Sequence, residues 1–296
     1  MIQSRKEIAA LLRLIDDPDD EVYDTVSSQI LHYGRSIIPD LEHLWEATAD
    51  EGLQERIELL IHRVHFQDLE QEFREWAHAD QPELLRGAIL IAKYQFPDMN
   101  VASVLSQFDR LRRNIWLELN NYLSPLEQVN VFNSILYNFY KLQGHELTER
   151  EPKYFFINQV LESRQGNGYA IGILFLAICE MLDVPVFAVD IPRQFIFAYV
   201  NVLPNFFTKG QEAIKQLQFF VDPLNGMVYT HKEVDTYLKK INATEREKYF
   251  TPLTTRKVIY KMMEELCLCY RYRKEEQKAD EISLLMALFR EGDEQQ

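Results

Sequence analysis

Only three cysteines occur in 296 residues, Cys179, Cys267 and Cys269. An odd count whose nearest spacing is C-x-C provides neither a disulfide framework nor a zinc knuckle, and it suits a reducing compartment. Glycine is scarce as well, at ten residues, and no glycine-rich loop of the kind that cradles phosphates is present. No dense lysine or arginine cluster occurs either. The 32 basic and 46 acidic side chains leave a formal charge of −14, which repels a phosphate backbone and removes nucleic acid from the expected partners. Long hydrophobic runs are also missing. The longest, Tyr169 to Cys179, is too short to cross a bilayer and is followed by Glu180 and Asp183. The first residues, MIQSRKEIAALLRLIDD, lack an apolar stretch with a small-residue cleavage site. We therefore expect a cytoplasmic protein without a membrane segment.

What is present is apolar material: 47% hydrophobic residues, 12% of the chain aromatic. That is ample for a sizeable core, in a chain longer than the ~100–200 residues of one usual domain. Residues 1–119 carry helical periodicity. EIAALLRLI is interrupted by DDPDDE, VYDTVSSQILHY is stopped by Gly34, and IIPDLEHLWEA comes next. The stretch LIDDPDDEVYDTVSSQILHYGRSIIPDL resembles one HEAT repeat, which implies a helical hairpin that must stack on neighbours to bury its apolar stripe. GLQERIELLIHRV, LEQEFREWA, PELLRGAILIAKY and VLSQFDRLRRNIWLEL continue the periodicity without repeating that pattern. A helical layer is expected, not a long solenoid.

Two metal-like patterns fail on inspection. DDPDDE lacks the glycine of a calcium loop, and Ser27 stands where the bidentate glutamate belongs. Its charges suit the positive end of the next helix. His62 and His65 stand i,i+3 on a helix with no third ligand at a motif spacing, and HExxH is absent. No metal or other cofactor is expected.

From Ser124 the texture changes. SPLEQVNVFNSILYNFYK reads as a helix, LQGHELTEREP as a polar loop, FFINQVLESR as a short helix and 168–182 as a longer buried one. After Pro185 the period becomes two in VFAVDI, QFIFAYV and LQFFVDP, and an Asn-Gly turn in PLNGMVYT leads to another strand-like run. Residues 251–296 return to helical periodicity and are expected to form an antiparallel pair. Helix followed by strands is α+β order.

The stretch FFINQVLESRQGNGYAIGILFLAICEMLDVPVFAVDIPRQFIFAYV, with FFVDPLNG downstream, resembles the transglutaminase-like superfamily and, within it, the bacterial SirB-like branch. The shared pattern is a Gly-x-x helix start, a long apolar helix, a Leu-x-x-Pro exit, a strand, a Pro-x-x-Phe corner and Phe-x-Asp-Pro. The resemblance implies a papain-like core of one buried helix and an antiparallel sheet over residues 120–250. The HEAT-like layer, 1–119, precedes it and the helical pair, 251–296, comes after it. In members that are enzymes it implies a cysteine at a helix N-terminus, a histidine that takes its proton and an aspartate that orients the imidazole.

Carried onto this sequence, the cysteine position falls on Gly168 and the histidine position, two residues after Pro192, on Gln194. The acid survives as Asp222, and the serine common in the branch two positions after 168 is Ala170. Glycine offers nothing to acylate, and a carboxamide does not titrate. Cys179 lies eleven residues beyond Gly168, ~16 Å along a helix axis, and no histidine falls between 146 and 230. Glu162, Arg164 and Asn167 match the branch's residues before the helix. Arg164, Asn167, Tyr169 and Tyr199 are candidate cleft-lining side chains, with backbone satisfaction or core filling as the plain alternative for each. Gln194 is a candidate to hydrogen bond Asp222, and Asp222 before Pro223 is equally an Asx-turn residue.

The expected function is a non-catalytic transglutaminase-like protein with a protein or peptide partner. The competing expectation is an amidase- or peptidase-type hydrolase with relocated residues, using Asp222 with His145 or His231. It requires an imidazole within ~3 Å of the Asp222 carboxylate.

Overall fold

A computed structural model describes residues 2–201, 216–243 and 249–289. The chain forms two compact units, Met1–Glu75 and Trp76–Gln296.

The first unit is helical. Helix α1 spans Ile2–Arg13, α2 Asp20–His32, α3 Ile38–Ala47, and α4 begins at Glu51 and runs through to His78. Asp19 caps α2 by accepting the Glu21 N–H at 2.9 Å, and Gly34, at φ +58°, ends it. Ile15, Ile30, Leu41, Ile57 and Leu60 form the centre of one buried cluster. Arg56 on α4 donates to the carbonyls of Ile15 and Asp17, at 3.1 and 2.9 Å, and lies over the Tyr23 ring. The acidic turn is thus tied down through its backbone. Among the described residues no group of three or more His, Cys, Asp or Glu side chains is placed to hold a metal. Two stretches read as separate helices, GLQERIELLIHRV and LEQEFREWA, are one helix of 28 residues. Nothing between them breaks it, since neither glycine nor proline occurs from Leu53 to His78.

The second unit is α+β. Helices α5 (Leu84–Gln95), α6 (Val101–Glu118) and α7 (Pro125–Asn133) lead into it. The single helix expected over 125–141 is instead α7 followed by a π-helical turn, Ser134–Phe139. The stretch expected as a loop contains a short strand, β1 (Gln143–His145). It pairs in parallel with β2 (Gln165–Asn167), which comes directly after α8 (Ile157–Ser163).

Helix α9, Gly168–Met181, is apolar on every side, as a fully enclosed helix must be, and each residue from Gly168 to Cys179 is buried. It packs against α5, α8 and strand β3 (Val186–Val189). Strands β4 (Ile196–Val200), β5 (Leu217–Val221) and β6 (Val228–Tyr229) complete an antiparallel sheet in the order β3-β4-β5-β6. One face carries Phe197, whose ring meets Phe175 of α9 at 5.5 Å. The other face is covered by α10 (His231–Lys240) through Val234 and Leu238, with Phe250 packed on Phe220.

Helices α11 (Thr255–Tyr272) and α12 (Glu276–Ala287) form the C-terminal pair; residues 290–296 of the expected pair lie outside the described residues. The compact unit begins at Trp76, not near residue 120, because α5 and α6 pack on α8, and α5 also on α9 and α11. Among the described residues no helix is long and apolar enough to cross a membrane.

Candidate functional site

The start of α9 is set by a tight reversal. Arg164 ends α8 in the left-handed region at φ +62°. The three residues of β2 come next, and Asn167 then caps α9, its Oδ1 accepting the Ala170 N–H at 2.9 Å. Asn167 is 2% exposed. Gly168 is the first residue of the helix and is also buried. The first turn of a helix favours an anion or a thiolate, so this is where a nucleophile would be activated.

Asp222 comes directly after β5. Its Oδ1 accepts the Leu224 N–H at 2.8 Å, and its carbonyl accepts the Gly226 N–H at 2.8 Å, which closes the turn 222–226. Two distant side chains hold that turn. Tyr137 donates its hydroxyl to the Pro223 carbonyl, and Asn133 its Nδ2 to the Gly226 carbonyl, each at 2.7 Å. Leu224 is thereby laid over Gly168: a Cβ added at 168 would lie 3.6 and 3.8 Å from its side chain and 3.9 Å from Pro223. The same leucine covers Gly144 of β1, where an added Cβ would come within 2.8 Å of its Cδ2. The face of Gly168 therefore meets an aliphatic side chain.

Gln194 stands just before β4. It is exposed, in the corner between β3 and β4, and its backbone N–H donates to the Ile191 carbonyl at 3.1 Å. Among the described residues no hydrogen bond links it to Asp222, whose Oδ1 is engaged by Leu224. The expected amide–carboxylate pair does not form. The residue that turns toward α9 is Phe195. Its ring stacks on Tyr169 at 4.3 Å and crosses Phe197 at 5.5 Å, and a Cβ added at Gly172 would clash with it at 2.6 Å. Sequence reasoning missed Phe195, although extending the alternation of β4 one residue back puts 195 on the face of 197.

The remaining candidates divide. Tyr169 is 9% exposed, and burial pushes its hydroxyl pKa up. Tyr199 donates its hydroxyl to Gln128 Oε1 at 3.0 Å and stacks on Phe219. Arg164 is exposed, and its carbonyl accepts the Gln143 N–H at 2.9 Å, beside β1. Tyr169 and Tyr199 fill space, Asn167 caps, and Arg164 terminates α8.

Neither histidine reaches Asp222. His145 Nδ1 lies 2.9 Å from the nearer Glu149 oxygen, and the ring stacks flat on Tyr154 at 3.8 Å. His231 Nε2 is bonded to the Leu217 carbonyl at 2.7 Å. The imidazole–Asp222 couple that a relocated hydrolase requires is not formed. Burial raises the Asp222 pKa, the nearby Glu146 charge raises it further, and the Leu224 N–H opposes both. Cys179, near the far end of α9, is 0% exposed, and burial holds its thiol well above the usual range.

A sequence model of the transglutaminase-like superfamily matches residues 102–264. The chain belongs to that superfamily. Its similar relatives include the protein SirB1 of Salmonella typhimurium, 23% identical over 53% of this chain and 54% of the relative. The UPF0162 protein YchA of Escherichia coli is 23% identical over 57% and 59%, and a UPF0162 protein of Xylella fastidiosa 27% identical over 38% and 40%. The chain thus spans about half the length of these relatives. No solved structure matches it. The superfamily match covers the turn at Asp222, the start of α9 and the sheet between them.

Proposed function

We propose that this transglutaminase-like chain is non-catalytic and serves as a scaffold for a protein or peptide partner. The observation that carries this reading is the seal over the start of α9. Leu224 lies against Gly168, where the superfamily's enzymes would place a nucleophile, and the turn bearing it is fastened by Tyr137 and Asn133. A nucleophile also needs a base within hydrogen-bond reach. Here Gln194 is exposed, and the two nearest histidines in sequence are bonded to Glu149 and to the Leu217 carbonyl. The thiols offer no substitute: Cys179, Cys267 and Cys269 are 0, 6 and 1% exposed, and burial raises the Cys269 pKa to about 11.

The test is a pair of assays on the full chain. Hydrolysis of amide and peptide substrates, and incorporation of a primary amine into protein, are measured with and without iodoacetamide. We expect no turnover above the uncatalysed rate, and no alkylation of the three native cysteines within minutes at pH 7 by mass spectrometry. Turnover that iodoacetamide blocks and Cys179→Ala abolishes would overturn the reading. Turnover lost in His145→Ala or His231→Ala would instead favour the relocated hydrolase.

A further inference from the structure

A cleft forms where the turn between α5 and α6 meets α8, and none of its lining residues belongs to the start of α9. It is about 510 Å³ in volume. Phe96, Pro97, Met99 and Val104 supply its apolar wall. Its polar groups are Asp98 from the turn and Asn158, Gln159 and Glu162 from α8, with Gln95 and Asn100 at the ends.

Asn158 is the unusual member. It is 4% exposed, and its Oδ1 is buried without a hydrogen-bond partner. A buried amide oxygen left in this state is destabilising unless something outside the protein completes it. Asp98 and Glu162 are likewise without an ion-pair or hydrogen-bond partner among the described residues, and no Lys, Arg or His lines the cleft. The cation beside Gln95 is Lys278, whose Nζ lies 3.5 Å from Gln95 Oε1 and is held by Glu275 at 2.9 Å.

The start of α6 also faces this cleft, and a helix N-terminus on its own would attract an anion. That contribution is outweighed here. It amounts to roughly half a positive charge, Asn100 already accepts the Ser103 N–H at 3.0 Å, and two unpaired carboxylates oppose it.

We propose that this cleft binds a cationic side chain on an aliphatic stem, the arginine or lysine of a partner peptide. The methylene stem lies along Phe96, Pro97 and Met99, the charged head reaches Asp98 and Glu162, and an N–H of the head donates to the Asn158 carboxamide. Long basic side chains bury their stems and keep their heads at polar groups in this way, and a guanidinium presents a planar fork that matches carboxylate and amide oxygens together. The proposal deepens the scaffold reading and rests on it for the peptide. The cleft itself can be tested without any partner.

The experiment titrates N-acetyl-arginine amide and N-acetyl-lysine amide into the full chain, with N-acetyl-citrulline amide as the neutral isostere, followed by NMR shifts of the Asn158 and Gln159 amides. At least one cationic probe is expected to bind about five- to ten-fold more tightly than citrulline. Asp98→Asn/Glu162→Gln is expected to remove that preference, and Asn158→Leu to weaken binding while the chain stays folded. Glu42→Gln/Glu46→Gln, which removes the same charge from exposed positions on α3, is expected to bind as the unaltered chain does. Equal binding of citrulline, no shift with any probe, or equal loss in the α3 variant would overturn the proposal. Those failures leave the scaffold reading intact, because that reading falls on turnover.

Discussion

Gly144 and Gly168 both touch Leu224, yet they differ in what a side chain there would meet. At Gly168 a Cβ lies in ordinary contact, 3.6 Å from Leu224 Cγ. At Gly144 it runs into the Leu224 backbone, with the Cα at 2.9 Å. Gly168→Ala is therefore expected to change stability by less than ~0.5 kcal/mol, since a first-turn glycine gains little from helix propensity. Gly144→Ala is expected to cost about 1–3 kcal/mol, as overpacking against unyielding backbone does. Urea unfolding of the two variants measures the difference; equal losses would show that Leu224 is not held as described. At this scale the sequence was half legible. Gly168 and Asp222 could be placed from family spacing, but Leu224 and Phe195 could not. Which way the 222–226 turn presents its side chains is decided by Tyr137 and Asn133, 86 and 93 residues away from their acceptors. Separation in sequence hides such a latch.

Among elements, the turn after β5 carries a test of charge. Asp222 has its folded pKa raised, chiefly by burial, with Glu146 adding to it. A raised carboxylate pKa means that the folded state resists ionisation. Stability from this group is therefore highest below the ordinary aspartate range, and it falls as pH climbs from that range through the folded value. Asn at 222 keeps an acceptor for the Leu224 N–H without the charge. Asp222→Asn should raise the melting temperature at pH 7 and leave it unchanged near pH 3, whereas Asp222→Ala should lose about 1 kcal/mol near pH 3 for the missing hydrogen bond and less than that at pH 7, where loss of the buried charge offsets part of it. Thermal melts at the two pH values decide it, and an Asn variant less stable at pH 7 would contradict the sign. The elements themselves were largely legible, because α9 and the four strands carry apolar periods that tertiary packing agrees with. What was not legible were features without a period: β1, three residues paired with β2, and the π turn after α7.

For the molecule as a whole, the division between the units falls within α4, just before Trp76. Trp76 is 1% exposed, donates its Nε1–H to the Glu83 carbonyl at 2.9 Å and meets Phe289 edge-on at 5.8 Å. It also presses on Gly87, where an added Cβ would lie 2.7 Å from its ring and 2.8 Å from Ile259. One side chain thus joins the end of α4, α5 and α11 in a single packed contact. Trp76→Ala is expected to cost about 3–5 kcal/mol, read as a lower urea midpoint at unchanged m-value. A loss below 1 kcal/mol would mean that the second unit does not depend on this anchor. The sequence pattern placed the division near residue 120 because composition changes there. Packing places it earlier, where contacts, not residue types, change.

The π turn at Ser134–Phe139 has a mechanical consequence. Its widened winding holds one more residue than an α-helical turn would; Tyr137 within it donates to the Pro223 carbonyl, while Phe139 is left 72% exposed. Removing a single residue from this segment would restore ordinary winding, rotate the downstream residues by ~100° and unhook the phenol. A cysteine introduced at 168 would then report the release by becoming alkylated in the shortened chain and staying protected in the full-length one. The closed state of the helix start would be, in effect, a one-residue winding defect stored 86 residues upstream of the carbonyl it grips.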